Sequence, residues 1–271
     1  MPAFTLRSGE NDALDDFERR SYTFDAKARD VYVKGRGPGV VVVHEVPGIT
    51  PEVADFARRV ADRGMTAAMP HLFGEPGRGL SVPYALSSLA WTCIAREFTT
   101  LATGATSHVT TWLRGLARSL HAECGGPGVG AVGMCMTGGF ALAMMVDDTV
   151  VAPVLSQPSL PLALRGSQRA AVGVSDADME SVKERTREGA CVLGLRFTHD
   201  RLVPGERFER LRRELGDSFL AVEIDSGPGN PDGIPRIAHS VLTNDLVDEP
   251  GHPTRAALDQ VLDFFAERLE V

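Results

Sequence analysis

Along the chain, hydrophobic residues gather into short continuous runs separated by amphipathic stretches. Five runs, residues 40–43, 66–69, 129–132, 150–155 and 192–197, are predominantly apolar or β-branched and are bounded by turn residues. That is the pattern of strands buried on both faces. A sixth run, 219–224, alternates less cleanly. Between them, residues 51–63, 98–121, 139–146, 179–188, 205–215 and 253–269 carry apolar positions at helical spacing. Gly64 and Gly189 sit where a left-handed helix stop is easiest for glycine. Alternating strands and helices predict an α/β class: a mostly parallel central sheet with helices on both faces, joined by right-handed crossovers.

The length of 271 residues fits one domain of this class over 1–271. Residues 74–92, rich in Gly, Pro and Ser and containing Trp91, read as a loop or small cap over the sheet edge. Residues 226–236, SGPGNPDGIPR, carry turn chemistry without periodicity. A hydrophobic content of 43% and a charged content of 24% exclude a disordered chain. The net charge of -8 and the absence of any Lys/Arg run argue against nucleic-acid and anionic-membrane partners. No run reaches the roughly 18 apolar residues of a membrane span, and the opening MPAFTLRSGENDALDDFERR lacks the apolar core of a signal peptide. A cytoplasmic protein is expected. Cys93, Cys124, Cys135 and Cys191 show no CxxC spacing and read as reduced thiols.

In an open sheet of this kind ligands bind beyond the carboxyl ends of the strands. The residues found there are His44-Glu45, Pro70-His71, Met134-Cys135, Ser156-Gln157, His199-Asp200 and the loop around His239. The run 129–132 leads into Gly133-Met134-Cys135-Met136-Thr137-Gly138-Gly139 and then a helix, which is the strand, turn and helix context of a nucleophile elbow. The glycine after the nucleophile comes one place later than in GxSxG, with Thr137 in its stead. Read alone, the turn fits either a nucleophile or a buried core thiol beside glycines that permit close helix packing. Asp200 and His239 follow in the chain order of the fold, nucleophile then acid then histidine. In isolation Asp200 also fits a helix cap or turn before Pro204, and His239 a surface loop. The joint pattern favours catalysis.

These residues resemble the dienelactone hydrolase family, the α/β-hydrolases that use cysteine where most relatives use serine. The matching stretches are VVVHEVPGI (41–49), PHLFG (70–74), GMCMTGG (133–139), THDRLVP (198–204) and HSVL (239–242). The resemblance implies Cys135 as nucleophile, His239 as general base and then acid, and Asp200 as the carboxylate that orients the imidazole. It also implies Glu45 beside the nucleophile as a group that helps generate the thiolate, and an oxyanion hole from the backbone N–H groups of Val46 and Met136. No cofactor motif stands out along the chain, and no cofactor or metal is expected. Members acting on dienelactone carry an arginine four residues after the histidine for the substrate carboxylate, whereas this chain has Thr243. Threonine cannot make that bidentate charged contact. Arg78, Arg96 or Arg236 are the candidates to replace it from a loop.

Other groupings are weaker. His71, His108, His121 and Cys124 lack the paired spacing of a metal site, Trp91 and Trp112 read as packing residues, and His199 as a solvated turn residue or a pocket neighbour. The expected function is hydrolysis of a small ester, lactone or thioester through an acyl-cysteine. Two alternatives are an acyltransferase or other biosynthetic enzyme with the same nucleophile, and a ligand-binding member with little turnover. The oligomeric state is not legible in the sequence.

Overall fold

The computed structural model describes residues 9–94, 108–160 and 168–271. Its eight strands are β1 (Glu18–Phe24), β2 (Lys27–Gly35), β3 (Gly39–Val43), β4 (Thr66–Pro70), β5 (Val129–Met134), β6 (Val150–Ser156), β7 (Val192–Phe197) and β8 (Phe219–Ile224). They form one sheet in the order β1-β2-β4-β3-β5-β6-β7-β8. β1 pairs antiparallel with β2, and β2 antiparallel with β4. Every later pairing is parallel.

The helices are α1 (Pro51–Asp62), α2 (Val82–Ile94), α3 (His108–Cys124), α4 (Gly138–Met144), α5 (Asp176–Arg187), α6 (Gly205–Leu215) and α7 (Pro253–Leu269). Thr50 caps α1 by accepting the Val53 N–H, and Ser175 caps α5 by accepting the Asp178 N–H, each satisfying an orphan donor of the first turn. Gly64 and Gly189 stand just past α1 and α5 with φ of 81° and 100°, as expected of helix stops.

All six predicted strands are present. β3, β4, β5 and β7 are buried at every position, because helices cover both faces of the sheet centre. On one face Phe56 and Val60 of α1 and Leu258, Val261 and Phe265 of α7 pack against Val42, Val132, Val154 and Leu195. On the other, Trp112 and Leu116 of α3 and Phe140 and Met144 of α4 cover Val41, Val43 and Ala131. Further along that face, α5 and α6 add Val182, Phe208 and Leu211.

Two findings differ from the sequence reading. The β1-β2 hairpin has no counterpart in it, because β1 alternates exposed with half-buried residues and β2 buries only Val31 and Val33, so neither forms an apolar run. Its turn places Asp25 and Ala26 at φ of 52° and 57°, the left-handed pair of a two-residue hairpin loop, without the glycine that normally signals one. The segment read as a loop or cap, 74–92, becomes helical from Val82. The expected helix at 98–121 is present from His108 onward, and its earlier part, with Arg96, lies outside the described residues. Among the described residues no helix is long and apolar enough to cross a membrane.

The α7 face shows how tightly this core is set. Phe265 is fully buried, and a Cβ on Gly130 of β5 would come within 2.8 Å of its ring. Phe265→Ala is expected to cost about 3–5 kcal/mol, read in urea unfolding as a lower midpoint with the slope unchanged. An unchanged midpoint would contradict this packing.

Candidate active site

Beyond the carboxyl ends of β3, β5, β6, β7 and β8 the sequence-predicted residues converge. β5 delivers Cys135 at its tip with a φ of 55°. This left-handed conformation is unfavourable for a residue with a side chain, and the neighbours hold it in place. A Cβ on Gly133 would lie 2.1 Å from the Thr137 carbonyl oxygen, so the turn closes only with glycine there.

Thr137, in the place of the missing glycine, is fully buried. Its Oγ1 accepts the Met134 N–H at 2.9 Å. Its single proton faces the carbonyl oxygens of Met134 at 2.8 Å, Val43 at 3.0 Å and His44 at 3.2 Å. The hydroxyl thereby ties the elbow to the end of β3, a role glycine could not fill.

Asp200 and His239 meet as expected. His239 Nδ1 donates to Asp200 Oδ2 at 2.6 Å, across loops 39 residues apart in sequence. The other oxygen of Asp200 accepts the Leu202 N–H at 2.8 Å. The His239 loop is pinned by Asp245, whose Oδ2 accepts the N–H groups of both His239 and Ser240 at 2.8 Å. His239 Nε2 is buried without a hydrogen-bond partner. Burial alone would lower the His239 pKa, but the Cys135 sulfur and the Asp200 carboxylate outweigh it and raise it well above the usual histidine range.

Glu45, just past β3, completes the cluster. One of its carboxylate oxygens, Cys135 Sγ and an imidazole nitrogen of His239 lie within 4.8 Å of one another. It is 2% exposed, and burial raises its pKa against the hydrogen bonds from Thr243 and Ser240 and the pull of His239. The Thr243 hydroxyl donates to Oε1. Oε2 accepts from Ser240 Oγ at 2.8 Å and Gln157 Nε2 at 3.2 Å. Cys135 Sγ instead lies 3.2 Å from Ser159 Oγ. Among the described residues this cysteine, histidine and glutamate form the one set spaced to hold a metal ion, and His71, His108, His121 and Cys124 do not join it. By donor chemistry it suits zinc, although both Glu45 oxygens already accept hydrogen bonds.

The two backbone groups implied for the oxyanion follow directly. Val46 comes after Glu45 in the loop beyond β3, and Met136 after Cys135 in a short 3-10 turn. His44 fixes that loop. Its Nδ1–H donates to Glu45 O at 3.0 Å, and Nε2 accepts the Leu72 N–H at 3.2 Å. Its ring meets Phe73 edge-on at 4.5 Å. These partners require the neutral imidazole, and burial lowers its pKa to about 4. A cavity of about 450 Å³ opens beside Leu72 and Phe73, bounded by Tyr84 and Ser87 of α2.

The arginine candidates separate. Arg78 is engaged by Glu75 at 2.7 Å and stacks over Tyr84, whereas Arg236 is exposed. Thr243 is itself buried against Glu45 and so faces the carboxylate of the protein. His199 is an exposed turn residue, and Trp112 is core.

Several contributors escaped the sequence reading. Ser159 and Asp245 lie in loops with no periodic signal. Gln157 stands at a strand tip already singled out, but nothing in one sequence marks its amide as a partner of Glu45. Arg207 is fully buried and braces two loops, with Nη1 donating to Pro158 O at 2.5 Å and to Leu202 O at 3.2 Å. Burial lowers its pKa to about 10, although Asp200 works the other way. The available signal was its spacing: it shares the buried face of α6 with Phe208, Leu211 and Leu215.

A family model described as the dienelactone hydrolase family matches residues 25–267. Similar solved structures include a protein of Klebsiella pneumoniae subsp. pneumoniae MGH 78578 assigned as a dienelactone hydrolase, 18% identical with a TM-score of 0.63 over 93% of this chain and 98% of that one. The dienelactone hydrolase from Anabaena variabilis ATCC 29413 is 17% identical, with a TM-score of 0.59 over 94% and 99%. The dienelactone hydrolase-like promiscuous phosphotriesterase P91 from metagenomic libraries is 18% identical, with a TM-score of 0.58 over 93% and 98%. At these identities the likeness is one of fold. No curated protein matches the chain in sequence.

Two expectations follow from this geometry. Thr137→Val removes the hydroxyl at nearly constant volume and leaves the Met134 N–H unpaired. It should lower the unfolding free energy by about 1–3 kcal/mol, and an unchanged urea midpoint would contradict the tie. For His44, the folded pKa near 4 lies below the ordinary 6.5, so between these values the unfolded chain binds the proton and the folded one does not. Its contribution is present above pH 6.5 and is lost as pH falls, by about 3 kcal/mol at the lower end. Thermal unfolding from pH 7 to 4 should fall more steeply in the wild type than in His44→Gln, and parallel profiles would refute this.

Proposed function

The chain belongs to the dienelactone hydrolase family, a hydrolase family, and from that premise we propose that it cleaves a small ester, lactone or thioester through an acyl-cysteine intermediate on Cys135. The carrying observation is the arrangement of Cys135 at positive φ, an imidazole nitrogen of His239 within 4.8 Å of its sulfur, and Asp200 bonded to Nδ1 at 2.6 Å. A nucleophile, a base and an orienting carboxylate in this relation support covalent catalysis.

In the proposed reaction the Cys135 thiolate attacks the substrate carbonyl carbon and the oxygen takes up the negative charge. The N–H groups of Val46 and Met136 stabilise that oxyanion. Collapse of the tetrahedral species expels the alcohol or thiol, which takes its proton from His239. The now neutral imidazole then removes a proton from water, whose oxygen attacks the thioester and frees the acid and Cys135. Asp200 keeps the imidazole in the tautomer that serves both steps and stabilises its cation.

Specificity is read from Thr243. With its hydroxyl spent on Glu45 and Arg78 held by Glu75, the site favours acyl groups without a carboxylate. The free thiols of Cys124, Cys135 and Cys191 suit a reducing compartment, and we place this single-domain enzyme in the cytoplasm.

Cys135→Ala should reduce hydrolysis of small aryl esters by at least about 10,000-fold, while stoichiometric iodoacetamide abolishes wild-type activity with the label on Cys135. Undiminished activity in Cys135→Ala would overturn the proposal. Between two esters that differ by a carboxylate on the acyl side, the neutral one should show a kcat/KM higher by about tenfold or more, a transition-state difference of about 1.4 kcal/mol. The reverse preference would refute the reading of Thr243.

A further inference from the structure

We propose that Arg207 is a positioning residue of the catalytic machinery: from the first turn of α6 it clamps the loop beneath the nucleophile to the loop that carries Asp200, and so holds His239 and Asp200 in register with Cys135. This rests on those three residues acting as proposed above. The position is unfavourable for a cation. Arg207 is fully buried, and it lies in the first turn of its helix, where the helix dipole repels positive charge. Among the described residues none of its hydrogen-bond partners is a carboxylate, and Nη2 is buried without any partner. The charges that act on it are Asp200, which attracts it, and the surface pair Arg169 and Glu206, whose effects oppose each other. An apolar side chain of similar volume would serve stability as well.

The guanidinium instead holds three carbonyl oxygens on three separate segments: Nε donates to Ala171 O at 2.5 Å, and Nη1 to Pro158 O at 2.5 Å and to Leu202 O at 3.2 Å. The first two segments press on the elbow. A Cβ on Gly138 would lie 2.7 Å from Pro158 Cα, and one on Gly139 would lie 3.1 Å from Val172 O. The glycine pair after the nucleophile thus lets the loop past β6 and the segment before α5 close on the start of α4. Ser159, next to Pro158, donates its N–H to Cys135 O at 2.9 Å. The third carbonyl belongs to the acid loop, where the Leu202 N–H donates to Asp200 Oδ1 at 2.8 Å and Asp200 Oδ2 accepts from His239 Nδ1 at 2.6 Å.

These bonds form one path of contacts from the Cys135 carbonyl to the His239 ring, with Arg207 as its central link. Arg196 of β7 also grips the acid loop, through Val203 O at 2.9 Å, but its other partner is Glu223 of β8, so it does not join that loop to the elbow. A planar guanidinium serves several acceptors at fixed angles, which the ammonium of a lysine on its flexible stem does not. The imidazole takes and returns protons beside a sulfur placed by one segment, while the carboxylate that orients it is placed by another. A loosened clamp therefore slows the chemical steps more than it weakens substrate binding.

The test uses Arg207→Met, which keeps most of the volume, and Arg207→Lys, which keeps the charge, each shown by urea unfolding to be folded under the assay conditions. On a small aryl ester kcat should fall by about 100-fold in Arg207→Met, the scale of a misplacement of about 1 Å, and by at least about tenfold in Arg207→Lys. KM should change little in both, and this split is what a purely structural role would not produce. Wild-type kcat in either folded variant, or a loss confined to KM, overturns the proposal. A second measurement needs no turnover: the proton NMR signal of His239 Nδ1–H, identified by its absence in His239→Gln, should move upfield in Arg207→Lys as the bond to Asp200 loosens. An unmoved signal overturns the proposal. A third uses the wild type alone, in which the amide protons of Ser159 and Leu202, one on each clamped loop, should exchange with a common opening free energy. Independent opening of the two loops overturns it. Neither of these last measurements depends on Cys135 turning over, so their outcome is separate from that of Cys135→Ala.

Discussion

At Cys135 the chain leaves β5 with a φ of 55°, a conformation that costs a side-chain-bearing residue about 1–2 kcal/mol and persists only because its surroundings fix it. Gly133 lets the backbone fold back against the Thr137 carbonyl, the Thr137 hydroxyl joins the turn to the end of β3, and the Ser159 N–H takes the Cys135 carbonyl. The rest of the site depends on this turn. It lifts the sulfur above the sheet edge, where loops following four other strands bring His239, Asp200, Glu45 and Ser159 to meet it.

Around the sulfur the protein has built a buried polar network. Glu45 accepts three hydrogen bonds from neutral donors, and His44 fixes the loop that presents both Glu45 and Val46. In so little water each hydrogen bond and each charge acts strongly, and an unsatisfied partner is correspondingly costly. Thr243 belongs to this network and its hydroxyl donates to Glu45, so it serves the protein's own carboxylate. In the proposed reaction, chemistry and specificity fall to different residues: the elbow and its histidine break the bond, while Thr243 disfavours a carboxylate on the acyl group.

The parallel sheet was legible because strands covered on both faces leave uninterrupted apolar runs, such as 40–43 and 129–132. The β1-β2 hairpin was not, because an edge ribbon needs only half its residues buried and its Asp25-Ala26 turn lacks glycine. Cys135, Asp200 and His239 were legible through chain order and position after strands. The partners that align them were not: Ser159, Gln157 and Asp245 act through single hydrogen bonds across distant loops, and no local pattern encodes such a bond. Thr137 is an intermediate case. As a departure from the glycine pattern it was visible in the sequence, but only the buried hydroxyl bonded toward β3 gives the departure a physical reason.

The central claim is that turnover passes through an acyl group on the Cys135 sulfur. The most direct measurement is intact-protein mass spectrometry of enzyme quenched in acid during turnover of an activated aryl ester, followed by peptide mapping. The account predicts a transient mass increase equal to the acyl group, on the peptide containing Cys135, that disappears as substrate is consumed. Product formation with no such adduct, or with the acyl group on another residue, would contradict it.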